Sequence, residues 1–411
     1  MLQKLEQHFF YFFILGRIPE LSRFELIKFA QKILFQKFQV FAETREFVIL
    51  ETDEEISLEF WQKQLGGIVK CGEIINLDCI PQGDQMGNFL VDFFSSQKNS
   101  QEIVFALSVY QDNTFDPSKK INFNFLKRLA MFVKKSLKSQ GRRTSFFISP
   151  DLKTPTGTIL KGQVLIRGSE MIFFSYQNKT LLGATRYIQS IQEEAALDFD
   201  RPYHSMERGL TPPKLVKIML NIAAFSFDSQ LLDPFCGSGT FLCQAALMGY
   251  RHLIGSDLSP EAIEGAKKNF LWLQQKFQLS SDIDAKFFSA DAREIDKIIS
   301  SGTIDAIVSE PYLGPRRMLR GNEEMRNEID MISHLYLDFF LVAKKILRNN
   351  GRIVIVLPIF VSQGKDYSLD ILPQILAQGW RQEALSDSAR RSLIYFRPGQ
   401  LVKREIMSFS F

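Results

Sequence analysis

Apolar positions change period repeatedly along the chain, and the changes outline its elements. Residues 9–15 form a continuous apolar run, the mark of a buried strand. Residues 20–35 then place Leu21, Phe24, Leu26, Ile27, Phe29, Ala30, Ile33 and Leu34 at close to helical spacing, with Ser22 and Glu25 as a capping pair. Residues 40–50 read as one or two strands, 56–65 as a helix ended by Gly66-Gly67, and 103–110 as a strand. Within 117–145 the apolar set Phe123, Phe125, Leu126, Leu129, Ala130, Phe132, Val133 and Leu137 predicts an amphipathic helix. Strands at 144–148 and 171–176 flank a helix or turn within 152–168. Such an order predicts a small α+β region.

After a polar, proline-bearing stretch at 180–213 the pattern becomes a regular alternation of strands and helices. Residues 215–225 predict a helix whose start Thr211 and Pro212 suit. Residues 231–257 read strand, glycine turn, helix, strand, which is one βαβ unit of a parallel sheet. Ser259 caps a helix over 260–277; a strand follows at 283–290, a short helix at 293–299 and a strand at 304–309. A long amphipathic helix at 328–349 precedes 352–357, apolar enough for a strand buried on both faces. A helix near 369–378 and a closing pair of strands at 382–386 and 392–397 complete the sheet.

Composition narrows the class. The chain has 411 residues, 45% hydrophobic and 23% charged, enough for two or three domains with proper cores. No apolar run approaches the ~18 residues of a membrane span, and the apolar N-terminal stretch lacks a cleavage site, so neither a membrane nor a signal peptide is expected. The four cysteines, 71, 79, 236 and 243, form no CxxC pair and join no histidine cluster. No metal site or disulfide framework is expected, and a reducing cytoplasm fits. Net charge is only +4, but its distribution is uneven: residues 117–145 hold nine basic residues and no acidic one. Lys127, Arg128, Lys134, Lys135, Lys138, Arg142 and Arg143 among them read either as a solvated helix face or as a phosphate-contacting stripe with salt-dependent affinity. Lys119 belongs to the same run.

The candidate chemistry centres on the βαβ unit. Gly237 and Gly239 let backbone approach a ligand, the following helix start offers free N–H groups, and Asp257 at the second strand end can hold a ribose diol. The octet Asp-Pro-Phe-Cys-Gly-Ser-Gly-Thr, residues 233–240, with an acid 17 residues after Thr240, resembles the first motif of class I methyltransferases that use S-adenosylmethionine (SAM). That resemblance implies a Rossmann-like α/β domain, a seven-stranded sheet with its last strand antiparallel. It also implies a SAM site formed by Asp233, Pro234, Phe235, Gly237, Gly239, Thr240, Asp257, Leu258, Asp291 and Ala292. Asp291 reads equally as the N-cap of the short helix after it.

At the end of the fourth strand of this half stand Ser309, Glu310, Pro311 and Tyr312. They resemble the loop of amino-methyltransferases acting on nucleobases, which carries Asp, Asn or Ser, two prolines and an aromatic residue; here Glu replaces the first proline. The resemblance implies that one side-chain oxygen and one backbone carbonyl accept the amine's N–H bonds while the ring stacks on an extruded base. Either Ser309 or Glu310 can be the acceptor. Arg316, Arg317 and Arg320 follow, as an RNA-contacting loop or a solvated one.

Arg201-Pro202, then Pro212-Pro213-Lys214-Leu215, the opening 13–22 and the C-terminal stretches 391–397 and 402–406 resemble the tRNA guanine-N2 methyltransferases that carry THUMP RNA-binding domains. Leu197 before Asp198 departs from the arginine usual in that linker. This family implies an N-terminal ferredoxin-like region at 1–55, a THUMP-type domain at 56–178, a linker at 179–203 and the methyltransferase domain at 204–411. It implies tRNA as the partner, no obligate protein partner, and N2-methylation of guanine at position 10 or, second, position 6. An rRNA or DNA amino-methyltransferase and a non-catalytic RNA-binding protein with a retained SAM site are the rival readings.

Overall fold

The computed structural model describes residues 8–77, 83–97, 102–111, 120–177, 179–189, 200–204, 211–223, 226–315, 317, 321–386, 390–397 and 399–411. Lys119, Leu197, Asp198, Arg316, Arg320 and Cys79 lie outside the described residues.

The chain divides into two compact units, the first made of 1–19, 34–63 and 68–189, the second of 20–33, 64–67 and 190–411. In the first, eight strands form one sheet: β1 (Phe9–Leu15), β2 (Phe38–Glu43), β3 (Phe47–Thr52), β4 (Ile68–Asn76), β5 (Glu102–Gln111), β6 (Arg143–Phe147), β7 (Glu170–Tyr176) and β8 (Lys179–Ile188), in the order β2-β3-β1-β4-β8-β7-β5-β6. The sheet is continuous across residue 55, where the sequence suggests a boundary. It also takes in residues 179–188, expected to begin a linker. These ten residues pair antiparallel with β7 and β4, and Leu181, Leu182 and Ala184 are buried. Their polar residues divide by position: Thr180 and Thr185 lie in the buried middle, while Arg186 and Tyr187 lie exposed near the strand's end.

A helix at Phe123–Ser139 crosses from β5 to β6, which run parallel. Asn122 caps it by accepting from the Phe125 N–H at 2.9 Å, and Leu126, Leu129, Ala130, Val133 and Leu137 go into the core. A second helix, Gly83–Ser96, packs into the same core through Met86, Leu90, Val91 and Phe94.

The second unit is a doubly wound sheet. Its strands are β9 (Gln230–Asp233), β10 (His252–Asp257), β11 (Asp284–Ser289), β12 (Ile304–Ser309), β13 (Leu347–Ser362), β14 (Lys365–Ser368), β15 (Arg381–Glu383), β16 (Leu393–Tyr395) and β17 (Val402–Ser410), of which seven run in the order β11-β10-β9-β12-β13-β17-β15 while β14 pairs with β13 and β16 with β17. All pairs from β11 to β13 are parallel, and β17 is antiparallel to both its neighbours. This is the expected seven-stranded path with its last strand reversed. The reversed strand is 402–410; residues 393–395 only pair on its flank, as β16. Strand order turns back between β9 and β12, so a crevice opens beyond their carboxyl ends.

The helix Pro19–Leu34 belongs, from residue 20 to 33, with this unit. Its buried Glu25 accepts the N–H groups of Gly66 and Gly67 at 2.8 and 2.7 Å and an Asn221 amide hydrogen at 2.8 Å. Among the described residues no helix is long and apolar enough to cross a membrane, and no cluster of three or more His, Cys, Asp or Glu is placed to hold a metal ion.

Candidate active site

β9 ends in Asp233, and the chain turns through Gly237 and Gly239, both left-handed at φ 51° and 79°, into the helix Thr240–Leu247. The turn is tied down from several sides. The Gly237 N–H donates to Asp257 Oδ2 at 3.0 Å, and the Cys236 N–H donates to the Ser256 carbonyl at 2.9 Å. Gly239 approaches Ala266 of the helix Pro260–Phe277 closely enough that an added Cβ would lie 3.2 Å from the alanine methyl. From that helix, the fully buried Asn269 donates to the carbonyls of Ser238 and Tyr203 and accepts the Tyr203 N–H. Arg201, 3% exposed, donates to Thr240 Oγ1 at 2.7 Å. Sequence reading gave no role to Asn269, because a lone asparagine on an amphipathic helix carries no spacing signal. Arg201 stood out only by resemblance.

Asp257 ends β10 beside the glycine turn. One oxygen takes the Gly237 N–H and the other the Ser259 N–H at 2.9 Å, which fixes the carboxylate at the mouth of the glycine turn. Leu258 beside it is 69% exposed, an apolar surface open to a ligand's flat face. A Cβ on Gly237 would meet no protein atom within 4 Å, so open space lies over the turn. An open turn at the end of β9 with a carboxylate beside it fits a SAM site. Asp291 caps the 3-10 turn Ala292–Lys297: its Oδ1 accepts the Arg293 N–H at 2.9 Å, and the Arg293 side chain grips both oxygens. The hydrogen bond from Arg293 holds its carboxyl below the usual range. Ala292 is buried beneath it.

Asp233 and Ser309, at the tips of the two strands that flank the crevice, hold each other. Ser309 Oγ donates to Asp233 Oδ1 at 2.5 Å, and the Phe235 N–H adds 3.2 Å to the same oxygen. Burial pushes the Asp233 carboxyl up to about 7; Ser309 and the Phe235 N–H pull it down, and the charges of Asp257 and Glu310 push it up. Ser309 has no exposed surface, and its hydroxyl ties the ends of β9 and β12 together. Pro234 is buried, and the partly buried Phe235 packs edge-on against Phe339 at 5.3 Å.

The loop after β12 differs from its expected form in one important contact. Glu310 is gripped by Arg404 of β17, Nε to Oε2 at 2.6 Å and Nη2 to Oε1 at 3.0 Å. Nothing in sequence spacing joins residues 94 apart. Pro311 is buried and stiffens the loop, and Tyr312 follows, 47% exposed. Burial, then the charge and hydrogen bond of Glu328, raise its phenol above the usual range. Arg317 pairs with Glu324.

The family model UPF0020, described as an RMKL-like methyltransferase domain, matches residues 205–360. A tRNA (guanine(10)-N2)-dimethyltransferase of Methanothermobacter thermautotrophicus is 29% identical over 150 residues, spanning 36% of this chain and 39% of that protein. A probable tRNA (guanine(10)-N2)-dimethyltransferase of Methanothermococcus thermolithotrophicus is 31% identical over 119 residues, 28% of this chain and 70% of that protein. The chain belongs to the tRNA guanine-N2 methyltransferase family. The alignment thus spans about two fifths of the first relative's length and a larger share of the second's. The crystal structure of TrmN from Thermus thermophilus has the same fold along 98% of this chain and 99% of its own, at a TM-score of 0.52 and 15% identity.

The Glu310–Arg404 pair anchors the loop after β12 to β17. The basic residues of the first unit also separate by role. Lys127, Arg128, Lys135, Lys138 and Arg143 are exposed, and Lys134 lies 5.8 Å from the centre of the Phe146 ring. Arg142 is committed elsewhere, donating to the Phe94, Ser95 and Gln97 carbonyls at 3.2, 3.0 and 3.5 Å, where it caps the end of the helix Gly83–Ser96.

Proposed function

We propose that this protein methylates the exocyclic N2 amine of a guanine in tRNA, most simply at position 10, adding one or two methyl groups, and that it works in the cytoplasm. One observation carries the reading: the glycine turn after β9 and the Ser-Glu-Pro-Tyr loop after β12 meet at the switch point, joined by the Ser309–Asp233 hydrogen bond. Cofactor and base would therefore face one crevice. When bound, SAM supplies an electrophilic methyl group. The chain's own residues position the reactants. Asp257 fixes the diol, the turn at Gly237 lets the cofactor lie against backbone, and Arg201 and Asn269 keep that turn rigid. Tyr312 offers an exposed ring on which an extruded guanine stacks, at the end of a loop that Pro311 stiffens. The guanine amine is a weak nucleophile whose lone pair is delocalised into the ring. Holding it in line with the methyl contributes on the order of 7 kcal/mol or more.

The first unit would bring the RNA. The exposed basic face of the helix Phe123–Ser139, with its run free of acids, suits phosphate contact in a THUMP-type module, a role supported by charge and exposure. The experiment is transfer of labelled methyl from SAM to bulk tRNA, followed by nucleoside analysis. Label as N2-methylguanosine or its dimethyl form supports the proposal; label on rRNA alone moves the substrate to rRNA.

A further inference from the structure

Glu310 stands where the family's loop has its first proline. Its side chain is 8% exposed and that of Arg404 10%. β17 lies beyond β13, two strands from β12, and Arg404 is opposite Pro358 in register. Its guanidinium reaches across β13 to the loop. Alternation along β17 sends the next residue to the other face, where Glu405 is held by Arg390 and Ser392. Arg404 is therefore the cation given to Glu310 from this strand. The other groups that sense Glu310's charge are Asp233, whose carboxyl it pushes up after burial, and Tyr336, whose hydroxyl is already bonded to the Val356 carbonyl at 2.8 Å.

A desolvated ion pair is a poor way to stabilise a strand end, since an apolar pair of the same volume does as well or better. Its presence beside the switch point has a chemical use. A carboxylate has about four lone-pair sites. Arg404 takes one on each oxygen, which leaves one on each directed away from the guanidinium. Ser309, wholly buried, already donates its hydroxyl hydrogen to Asp233 and ties two strand ends, whereas Glu310 carries a charge oriented by Arg404 and is the stronger acceptor of the two.

We propose that Glu310 is the amine acceptor of this enzyme, replacing the side-chain oxygen of the usual loop, and that Arg404 is the positioning residue that orients it. The proposal rests on the methyltransferase reading above. Glu310 accepts one N–H of the target amine and turns the nitrogen lone pair toward the methyl carbon. The nitrogen–carbon bond forms, the carbon–sulfur bond breaks with its electron pair remaining on sulfur, and the proton lost by nitrogen passes to Glu310 and then to water. Two residues thus act as one unit.

The test uses the full chain and four proteins: wild type, Glu310→Gln, Arg404→Met and the double variant. Glu310→Gln keeps size and a hydrogen-bonding oxygen near Arg404, so the variant folds. We expect its kcat for tRNA methylation to fall about a hundredfold, as when one oriented transition-state contact is lost. SAM affinity, read by calorimetry without any turnover, should change less than twofold. Arg404→Met should lower kcat similarly, and the double variant should fall no further than Glu310→Gln, because the two losses are one loss. Arg404→Lys should recover part of the rate. A Glu310→Gln protein within threefold of wild-type kcat overturns the proposal, as does a fall matched by an equal loss of SAM binding. A wild-type protein that binds SAM and methylates no RNA overturns the methyltransferase reading itself, and this proposal with it.

Discussion

Gly237→Val separates the cofactor site from the fold. The residue is left-handed, φ 51°, and an added Cβ would touch no protein atom within 4 Å. The only cost to folding is therefore the backbone conformation, about 1–2 kcal/mol for a residue other than glycine. For a unit of this size that lowers Tm by roughly 2–8 °C. The branched side chain would enter the space over the turn that SAM fits, and a clash with a bound ligand is not relieved by shifting exposed solvent. We expect SAM affinity to fall at least about a hundredfold, or roughly 2.7 kcal/mol. Gly249→Val is the control, since that glycine is also left-handed, φ 92°, with no atom within 4 Å of its would-be Cβ. It should lose similar stability and keep its SAM affinity. Calorimetric titration of SAM beside thermal unfolding reads both quantities. Equal SAM affinity for Gly237→Val and wild type would refute the placement of the cofactor over this turn.

Other expectations follow from the same geometry. Asp233, raised to about 7 by burial, binds its proton in the folded state when the unfolded chain has lost it. Its contribution to stability is thus full below pH ~4 and is lost as pH rises toward 7, by up to a few kcal/mol at ~1.4 per unit. Thermal unfolding of Asp233→Asn against wild type between pH 4 and 8 should show the variant gaining relative stability as pH rises; a constant difference contradicts this. Tyr312→Ala should lower kcat for RNA about tenfold or more and leave SAM affinity unchanged, as loss of a stacking contact requires; a matching loss of SAM affinity would make the ring structural. Lys127, Lys135 and Lys138 changed together to Glu should weaken tRNA binding and reduce its salt slope by roughly 3. Arg142→Ala should instead lower Tm, because it uncaps a helix.

What the sequence disclosed and withheld follows from the range of the interactions. The βαβ unit at 231–257 was legible because strand period, glycine turn and terminal acid lie within 27 consecutive residues. The helix over residues 123–139 is legible in its apolar stripe, while its Asn122 cap emerges only in the structure. Residues 179–188 read as the start of a join because they run without a break into the polar, proline-bearing stretch that follows, and only pairing with β4 and β7 shows a strand. The closing pair reads from sequence as 382–386 and 392–397 because Lys403, Arg404 and Glu405 mask the strand at 402–410, which pairing with β13 reveals. The Arg404–Glu310 pair, the Asn269 clamp and the Ser309–Asp233 strut bring together residues 31 to 94 positions apart. No local pattern carries such pairings. Sequence alone therefore leaves Ser309 and Glu310 both open as the amine acceptor.

The most direct test of the account is a single incubation of the purified chain with labelled SAM and unmodified tRNA, the product digested to nucleosides and the labelled position mapped. The account predicts label in N2-methylguanosine or its dimethyl form, at one position, 10 first. Label confined to another base or absent from tRNA, in a protein that binds SAM, would contradict it.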